Sequence, residues 1–472
     1  MNLKDIQEQC KDYPEIIDSS IEMNEVNSSI KIFEGEYIIK DNSKEIKVLG
    51  NIYYDWFPNS GAHFAGKPLV DTFDLFGITD GLNSYKIIID GLEFGQGFIT
   101  TANFGGINDD SFIKGVLSKQ AILGDYSIAV DTLKFSIPNL REFNGTVVKK
   151  IIDENIFIST SRMRLENDNY VITIDKCYDY KERNNFLKEK GGFVILYGGE
   201  LTSKKGSMTF EGMKDVFHCL NVFLTFLNGR RTSALFIQGV FNNQVIWCDY
   251  TNYFVDNYKA VQTWSPKHSI NNLNELWQRF SLLWCDKDDK NFLTTVLHWY
   301  IEANCHAGFL EGSIIMAQTA LELLYNWWII ENKKLIIGKD SENISAANKI
   351  RLLLSQLNIT HSVPSSFSHL QNFIDQSEYI VDAPEAVVQI RNAIVHSQEE
   401  KRKKLSSIHS KAKFQALQLC IWYIEMALLC ILDYDDRYCN RCSGEIWATD
   451  AEENVPWTKK VAKKSEVRKT EL

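Results

Sequence analysis

The chain has 472 residues, enough for two or three domains with an ample core. Apolar content of 44% and aromatic content of 12% exclude a disordered protein. A net charge of −10 excludes a broadly basic nucleic-acid binder, so any RNA contact must come from a local patch.

In chain order, the first 250 residues alternate short β-rich runs with turns. Strands are expected at 30–39, 45–54, 85–89, 97–101, 126–137, 145–149, 155–160, 170–176 and 193–198, punctuated by Asn, Asp and Gly. Their regular spacing predicts an antiparallel sandwich or barrel. Residues 210–227 read as one helix ended by Asn228-Gly229, and two strands follow at 234–238 and 244–248.

Beyond residue 262 the pattern becomes helical. Helices are expected at 271–284, 288–304, 309–330, 345–357, 366–374, 384–396 and 409–433. The third carries Ile314, Ile315, Ala317, Leu321, Leu324, Trp327 and Trp328, which places it at the centre of a bundle. The most apolar run, 414–432, is interrupted by Gln415, Gln418 and Glu425, which favours a buried helix over a membrane span. The opening MNLKDIQEQCKDYPE is too polar and acidic for a signal peptide. Ten cysteines, several inside apolar runs, fit a reduced protein of the cytoplasm.

The helix at 384–396 carries the chemistry. Asp382 is its expected N-cap, Pro384 sits in its first turn, and Val387, Ile390 and Ile394 form a buried stripe. Near its end stand Arg391, Asn392 and His396, the pattern Arg-Asn-x3-His. Asn392 and His396 project about 40° apart, and Arg391, about 140° from His396, reaches the same side through its long stem. On spacing alone these groups are either an exposed arginine and a helix-terminal histidine that offsets the C-terminal dipole, or a set suited to RNA cleavage by the RNA's own 2′-hydroxyl. An imidazole removes or supplies the proton, and a guanidinium holds the phosphate. Asn392 orients His396 or a phosphate oxygen, or caps a helix end.

Other motifs carry less. Lys401, Arg402, Lys403 and Lys404 form either a phosphate-contacting patch or an exposed charged turn. Arg402 and His409 make a looser Arg/His pair without a following Asn. Cys439-x2-Cys442 is half of a zinc site or an incidental pair, because 443–472 hold no further Cys or His. The glycines at 91, 95 and 97 lack the Lys and Ser/Thr of a phosphate loop. Glu311 and Glu322, in the central helix, stay outside the expected site.

The helical half resembles the HEPN ribonuclease domain of the ApeA family of bacterial abortive-infection proteins. The resemblance rests on Arg391-Asn392-x3-His396, on Ala320-Leu321-Glu322, and on the ending Tyr438-x-Asn440-Arg441…Gly444…Val455-Pro456-Trp457. The β-rich half is similar, more loosely, to that family's amino-terminal domain through Gly35-x-Tyr37 and Leu49-Gly50. The expected fold is therefore α+β: a sandwich-like sensor domain at 1–262, a HEPN bundle at 263–457 and a charged tail at 458–472. The resemblance implies a metal-independent endoribonuclease, restrained until infection, with Arg391, Asn392 and His396 catalytic and no cofactor. Its partners would be RNA, host or phage and tRNA among the candidates, a phage-derived trigger, and a second copy in a homodimer or larger homo-oligomer, with no membrane. The alternatives are a non-catalytic HEPN scaffold whose β domain recognises a phage protein, and a zinc-stabilised adaptor.

Overall fold

The computed structural model describes residues 12–41, 44–69, 83–103, 111–153, 155–266, 273–306, 308–395, 399–445 and 451–457, without the side chains of Lys119, Glu400, Lys401, Arg402 and Lys404. The chain divides into two compact units. One comprises Met1–Val261 with Leu273–Cys285, the other Gln262–Asn272 with Asp286–Leu472. The α+β layout expected from the sequence is present: antiparallel strands first, helices second.

In the first unit, six strands pair in a ring: β1 (Ile30–Lys40), β2 (Glu45–Asp55), β3 (Gly61–Pro68), β4 (Tyr85–Ile89), β5 (Leu92–Asn103) and β6 (Phe112–Gly124). The order is β3-β2-β1-β4-β5-β6, and β3 pairs back onto β6. The sheet thus closes on itself, the barrel of the two expected alternatives rather than the sandwich; closure removes two open edges. Alternation explains the inner face of β2, where Ile46, Val48, Ile52 and Tyr54 are buried between more exposed neighbours. Gly50 faces Gly66 across β2 and β3, and a Cβ at Gly50 would lie 2.1 Å from the Ala65 carbonyl oxygen. Only glycine permits that approach. β3 and β6 lay outside the expected strands, being rich in Gly, Ala, Lys and Ser rather than β-branched residues.

From β6 the pairing continues into an open antiparallel sheet: β7 (Thr132–Pro138), β8 (Thr146–Ile152), β9 (Asn155–Glu166), β10 (Tyr170–Lys176), β11 (Ile195–Ser203), β12 (Leu235–Phe241) and β13 (Gln244–Asp249), in the order β6-β13-β12-β7-β11-β10-β9-β8. Helix α1 (Tyr180–Lys190) escaped the sequence reading because only Tyr180 and Leu187 are buried. Helix α2 (Phe210–Asn228) begins at the Thr209 cap and ends at Gly229, whose φ of 70° is the left-handed cap expected there. Its Phe217 meets Phe135 of the sheet edge-on at 5.3 Å. Helix α3 (Leu273–Trp284), expected within the bundle, belongs to this first unit. Trp277 and Phe280 pack on Phe223, and Trp284 donates its ring N–H to Asp215.

The second unit holds α4 (Lys287–Asn304), α5 (Phe309–Leu324), α6 (Ala346–Gln356), α7 (Ser368–Asp375), α8 (Ala383–Val395), α9 (Glu399–Ser407) and α10 (Ser410–Ile431), with a small hairpin β14 (Arg437–Cys439) and β15 (Glu452–Asn454). As expected, α5 is central, packing on α4, α6, α8 and α10. It runs on into a π-helical stretch, Tyr325–Asn332, that buries Trp327 and Trp328; Trp327 stacks on Phe292 at 4.0 Å. The basic run is helical in α9 rather than a turn. Helix α10 is apolar and long enough to cross a membrane, with a mean hydropathy of 1.6, yet 72% of that window is buried inside the fold.

Its polar residues have specific partners. Arg441, just beyond β14, is buried and donates to both oxygens of buried Glu425, to Gln418 Oε1 at 2.9 Å and to Asn304 Oδ1 at 3.2 Å. Tyr300 completes the cluster through a 2.8 Å hydrogen bond to Glu425. Removing one partner of a buried ion pair leaves a charge without water or counter-ion. Arg441→Ala is therefore expected to destabilise the protein by about 3–5 kcal/mol. Urea denaturation measures this, and a loss below about 1 kcal/mol would contradict it.

Candidate functional site

Helix α8 is held at its start and carries Arg391 and Asn392 near its end. Asp382 accepts from the Glu385 N–H at 2.9 Å, the N-cap contact expected from the sequence. Arg351 of α6 grips the same carboxylate in two bonds, of 2.6 and 2.8 Å, and reaches Glu385 at 3.4 Å. Val387 and Ile390 are buried, and Ile394 is half-buried. One turn before Arg391, the Gln318 side chain of α5 donates to the Val387 carbonyl at 2.6 Å.

Arg391 is half-buried and lines a pocket of about 290 Å³ together with Gln318, Leu321 and Glu322 of α5 and Lys349 and Ile350 of α6. Its hydrogen bond is to a neutral group, Asn392 Oδ1, at 3.3 Å. The Asn392 side chain therefore holds the guanidinium without neutralising it. Across the pocket, Lys349 pairs with Glu322 at 3.0 Å and lies 5.4 Å from the Tyr325 ring centre. A cleft with two cations, one carboxylate and an apolar floor is suited to an anion attached to a less polar body.

The structure brings Arg391 and Asn392 together; His396 lies outside the described residues. In α9, the Lys403 ammonium pairs with Glu399 at 2.8 Å, while the side chains of Lys401, Arg402 and Lys404 lie outside the description. His409 serves as the cap of α10, accepting from the Lys411 N–H at 3.1 Å, and stacks on His369 at 4.6 Å. Cys439 follows Tyr438 in β14, and burial pushes the Cys442 thiol well above its ordinary range, opposite to what a thiolate ligand needs. Among the described residues, no group of three or more His, Cys, Asp or Glu side chains is arranged to hold a metal.

Lys349 and Gln318 were missed from sequence, and Glu322 was set aside. The Lys349–Glu322 contact spans 27 residues, so no local periodicity announces it. Glu311, also set aside, pairs with Lys413, whose hydrogen bond holds the Glu311 carboxyl below its usual value.

The Asp382–Arg351 contact makes a pH-dependent prediction. Burial alone would raise the Asp382 pKa, but the Arg351 guanidinium and the Glu385 N–H outweigh it and hold the carboxyl below its ordinary value. A depressed carboxylate pKa stabilises the fold above the unfolded value, near pH 4, and that contribution disappears as pH falls through the lower folded value. Asp382→Asn keeps a capping side chain and loses the charge, so it should lower stability by about 1 kcal/mol near neutral pH. In denaturation curves the gap should close below about pH 4; an equal gap at both pH values would contradict the contact's role.

Two family models match the chain: the YopA central domain over residues 125–261 and the YopA C-terminal domain over residues 286–453. The first match ends where the long segment of the β unit ends, and the second begins where the helical unit resumes at Asp286. No solved structure matches. Over 445 residues the chain is 26% identical to the "SPbeta prophage-derived uncharacterized protein YopA" of Bacillus subtilis (strain 168), a similarity that covers 93% of this chain and 98% of that protein.

Proposed function

We propose that the chain is an endoribonuclease of the HEPN type, a cytoplasmic anti-phage effector restrained until infection. The observation that carries the reading is Arg391. A guanidinium whose hydrogen-bond partner among the described residues is a neutral amide lines a polar cleft on a pinned helix, and His396 follows it five residues later in the sequence. In this reading Arg391 holds the scissile phosphate and stabilises the charge that grows on it. The RNA 2′-oxygen attacks phosphorus as its proton passes to an imidazole; the 5′-oxygen leaves as it takes up a proton. The products are a 2′,3′-cyclic phosphate and a free 5′-hydroxyl.

One His396 per chain supplies one imidazole for two proton transfers, which is why a homodimer or larger homo-oligomer is part of the proposal. The β unit would act as sensor for a phage-derived trigger. The prophage origin in the name of the similar Bacillus subtilis protein agrees with a gene carried in competition between phage and host.

Because infection lifts the restraint, protein purified from infected cells and incubated with total RNA in EDTA should leave 2′,3′-cyclic phosphate ends. Arg391→Ala and His396→Ala should each lower the cleavage rate by about 10²–10⁴-fold while far-UV dichroism and thermal unfolding stay as in the wild type. Full activity in folded His396→Ala protein refutes the assignment. Reversing the charges of Lys401, Arg402, Lys403 and Lys404 should weaken RNA binding and flatten its dependence on salt. An unchanged salt slope removes that patch from the RNA-binding surface.

A further inference from the structure

The pocket beside Arg391 contains a second cation, Lys349. The Lys349 side chain is only 16% exposed; its ammonium lies 3.0 Å from Glu322 and 5.4 Å from the Tyr325 ring centre. The packing around its stem and the ring fix Lys349 in place. Its counter-ion differs: Glu322 is 59% exposed, so water solvates it well and it loses little by swinging away. The pair therefore joins an anchored cation to a carboxylate free to leave.

Arg351 differs, being held by two carboxylates, Asp382 and Glu385. Lys413, 13% exposed, pairs in a similar way with Glu311, 42% exposed, but it does not line this pocket. Among the charged residues lining the pocket there are two cations, Arg391 and Lys349, and one carboxylate, Glu322. Gln318 spends its amide N–H on the Val387 carbonyl, which leaves its side-chain oxygen to accept. Leu321, Ile344 and Ile350 supply an apolar wall. Such a cleft, at the small end of ligand pockets, accommodates one phosphorylated nucleoside rather than a base-paired helix.

We infer that Lys349 is a second phosphate-contacting residue of this pocket and that Glu322 is its displaceable counter-ion, a charge gate that an entering phosphate opens by taking the carboxylate's place. The inference rests on the reading of Arg391 as the phosphate-holding group. A phosphate brings more negative charge and more acceptor oxygens than the carboxylate it replaces. It can receive the Arg391 fork and the Lys349 ammonium together. Until it arrives, Glu322 lowers the positive field of the pocket and repels anions that bind weakly.

The test uses the full chain and two probes, inorganic phosphate and uridine 3′-monophosphate, titrated by calorimetry at low salt. Lys349→Gln should weaken binding of both probes about tenfold, the effect of one lost charge-assisted hydrogen bond. Lys349→Arg should retain most of the affinity, and Glu322→Gln, which removes the competitor, should raise it severalfold. Wild-type affinity in both Lys349→Gln and Glu322→Gln assigns the pair to structure and overturns the inference, as does the absence of phosphate binding by the wild type. If Lys349→Gln fails to fold, Glu322→Gln decides: weaker or unchanged binding overturns the gate. RNA cleavage assayed in parallel separates this inference from the ribonuclease reading. Lys349-dependent phosphate binding without cleavage, even by protein purified from infected cells, retains the pocket and removes the nuclease. Cleavage by a protein whose phosphate affinity ignores Lys349 does the opposite.

Discussion

The helical unit is built around one buried ion pair. Arg441 and Glu425 are both removed from water, an arrangement that is tolerable only when every donor and acceptor is matched. Here the matching is nearly complete: Gln418, Asn304 and the Gln262 carbonyl take the remaining guanidinium protons, and Tyr300 donates to the carboxylate. Burial pulls the Arg441 pKa down, and the Glu425 carboxylate more than offsets it, so the guanidinium stays charged. The network joins α4, α10 and the segment after β14. The described residues around β14 and β15 are thereby tied to the bundle. Trp457 donates to the Tyr434 carbonyl, and Asn440 donates to Glu453 across the small hairpin.

That network also explains the composition of α10. An apolar helix of 22 residues with Gln415, Gln418 and Glu425 inside it looks contradictory in isolation. Each polar residue has a defined task in the fold: Gln415 accepts from the Leu370 N–H at the start of α7, and the other two accept from Arg441. The helix is apolar because it is buried among protein, and it is interrupted where protein donors must be satisfied. Helix α5 packs on α10 and also on α6 and α8, which carry residues of the Arg391 pocket.

The helical half was the more legible in sequence. Its caps and apolar stripes act over three or four residues, and Asp382 and Ser345 cap the helices they were expected to begin. The β half was legible only in part. β3 and β6 close the ring, but their alternation is weakened by glycines that exist for close strand approach, a contact with partners distant in sequence. Helix α3 has an ordinary amphipathic pattern, and nothing in that pattern says which core it will bury against. The π-helical continuation of α5 also escaped notice, since an α-helix and a π-turn share nearly the same apolar spacing over eight residues. At the candidate site, Arg391 and Asn392 were legible as a motif, whereas Lys349, Glu322 and Gln318 meet them only through tertiary packing. The Tyr438, Asn440 and Arg441 positions of the C-terminal motif are structural; each makes hydrogen bonds inside the helical unit.

Two arginines show how one residue type is put to opposite uses in this unit. Arg441 is buried, paired with a carboxylate and surrounded by further acceptors, so its charge is largely screened from anything outside. Arg391 is half-exposed, faces a cleft and is oriented by an uncharged amide, so its charge remains available. In a chain with a net charge of −10, the long-range field opposes an approaching polyanion, and a broad basic surface cannot supply the attraction. Under the proposed ribonuclease reading, capture would then depend on short-range charge left uncompensated in a local site. The Arg391 pocket has that property, and the exposed position of Glu322 beside an anchored Lys349 means the available charge can grow once an anion has entered. A site of this kind discriminates by proximity: it is weak toward anions in bulk solvent and strengthens toward one already held by the guanidinium.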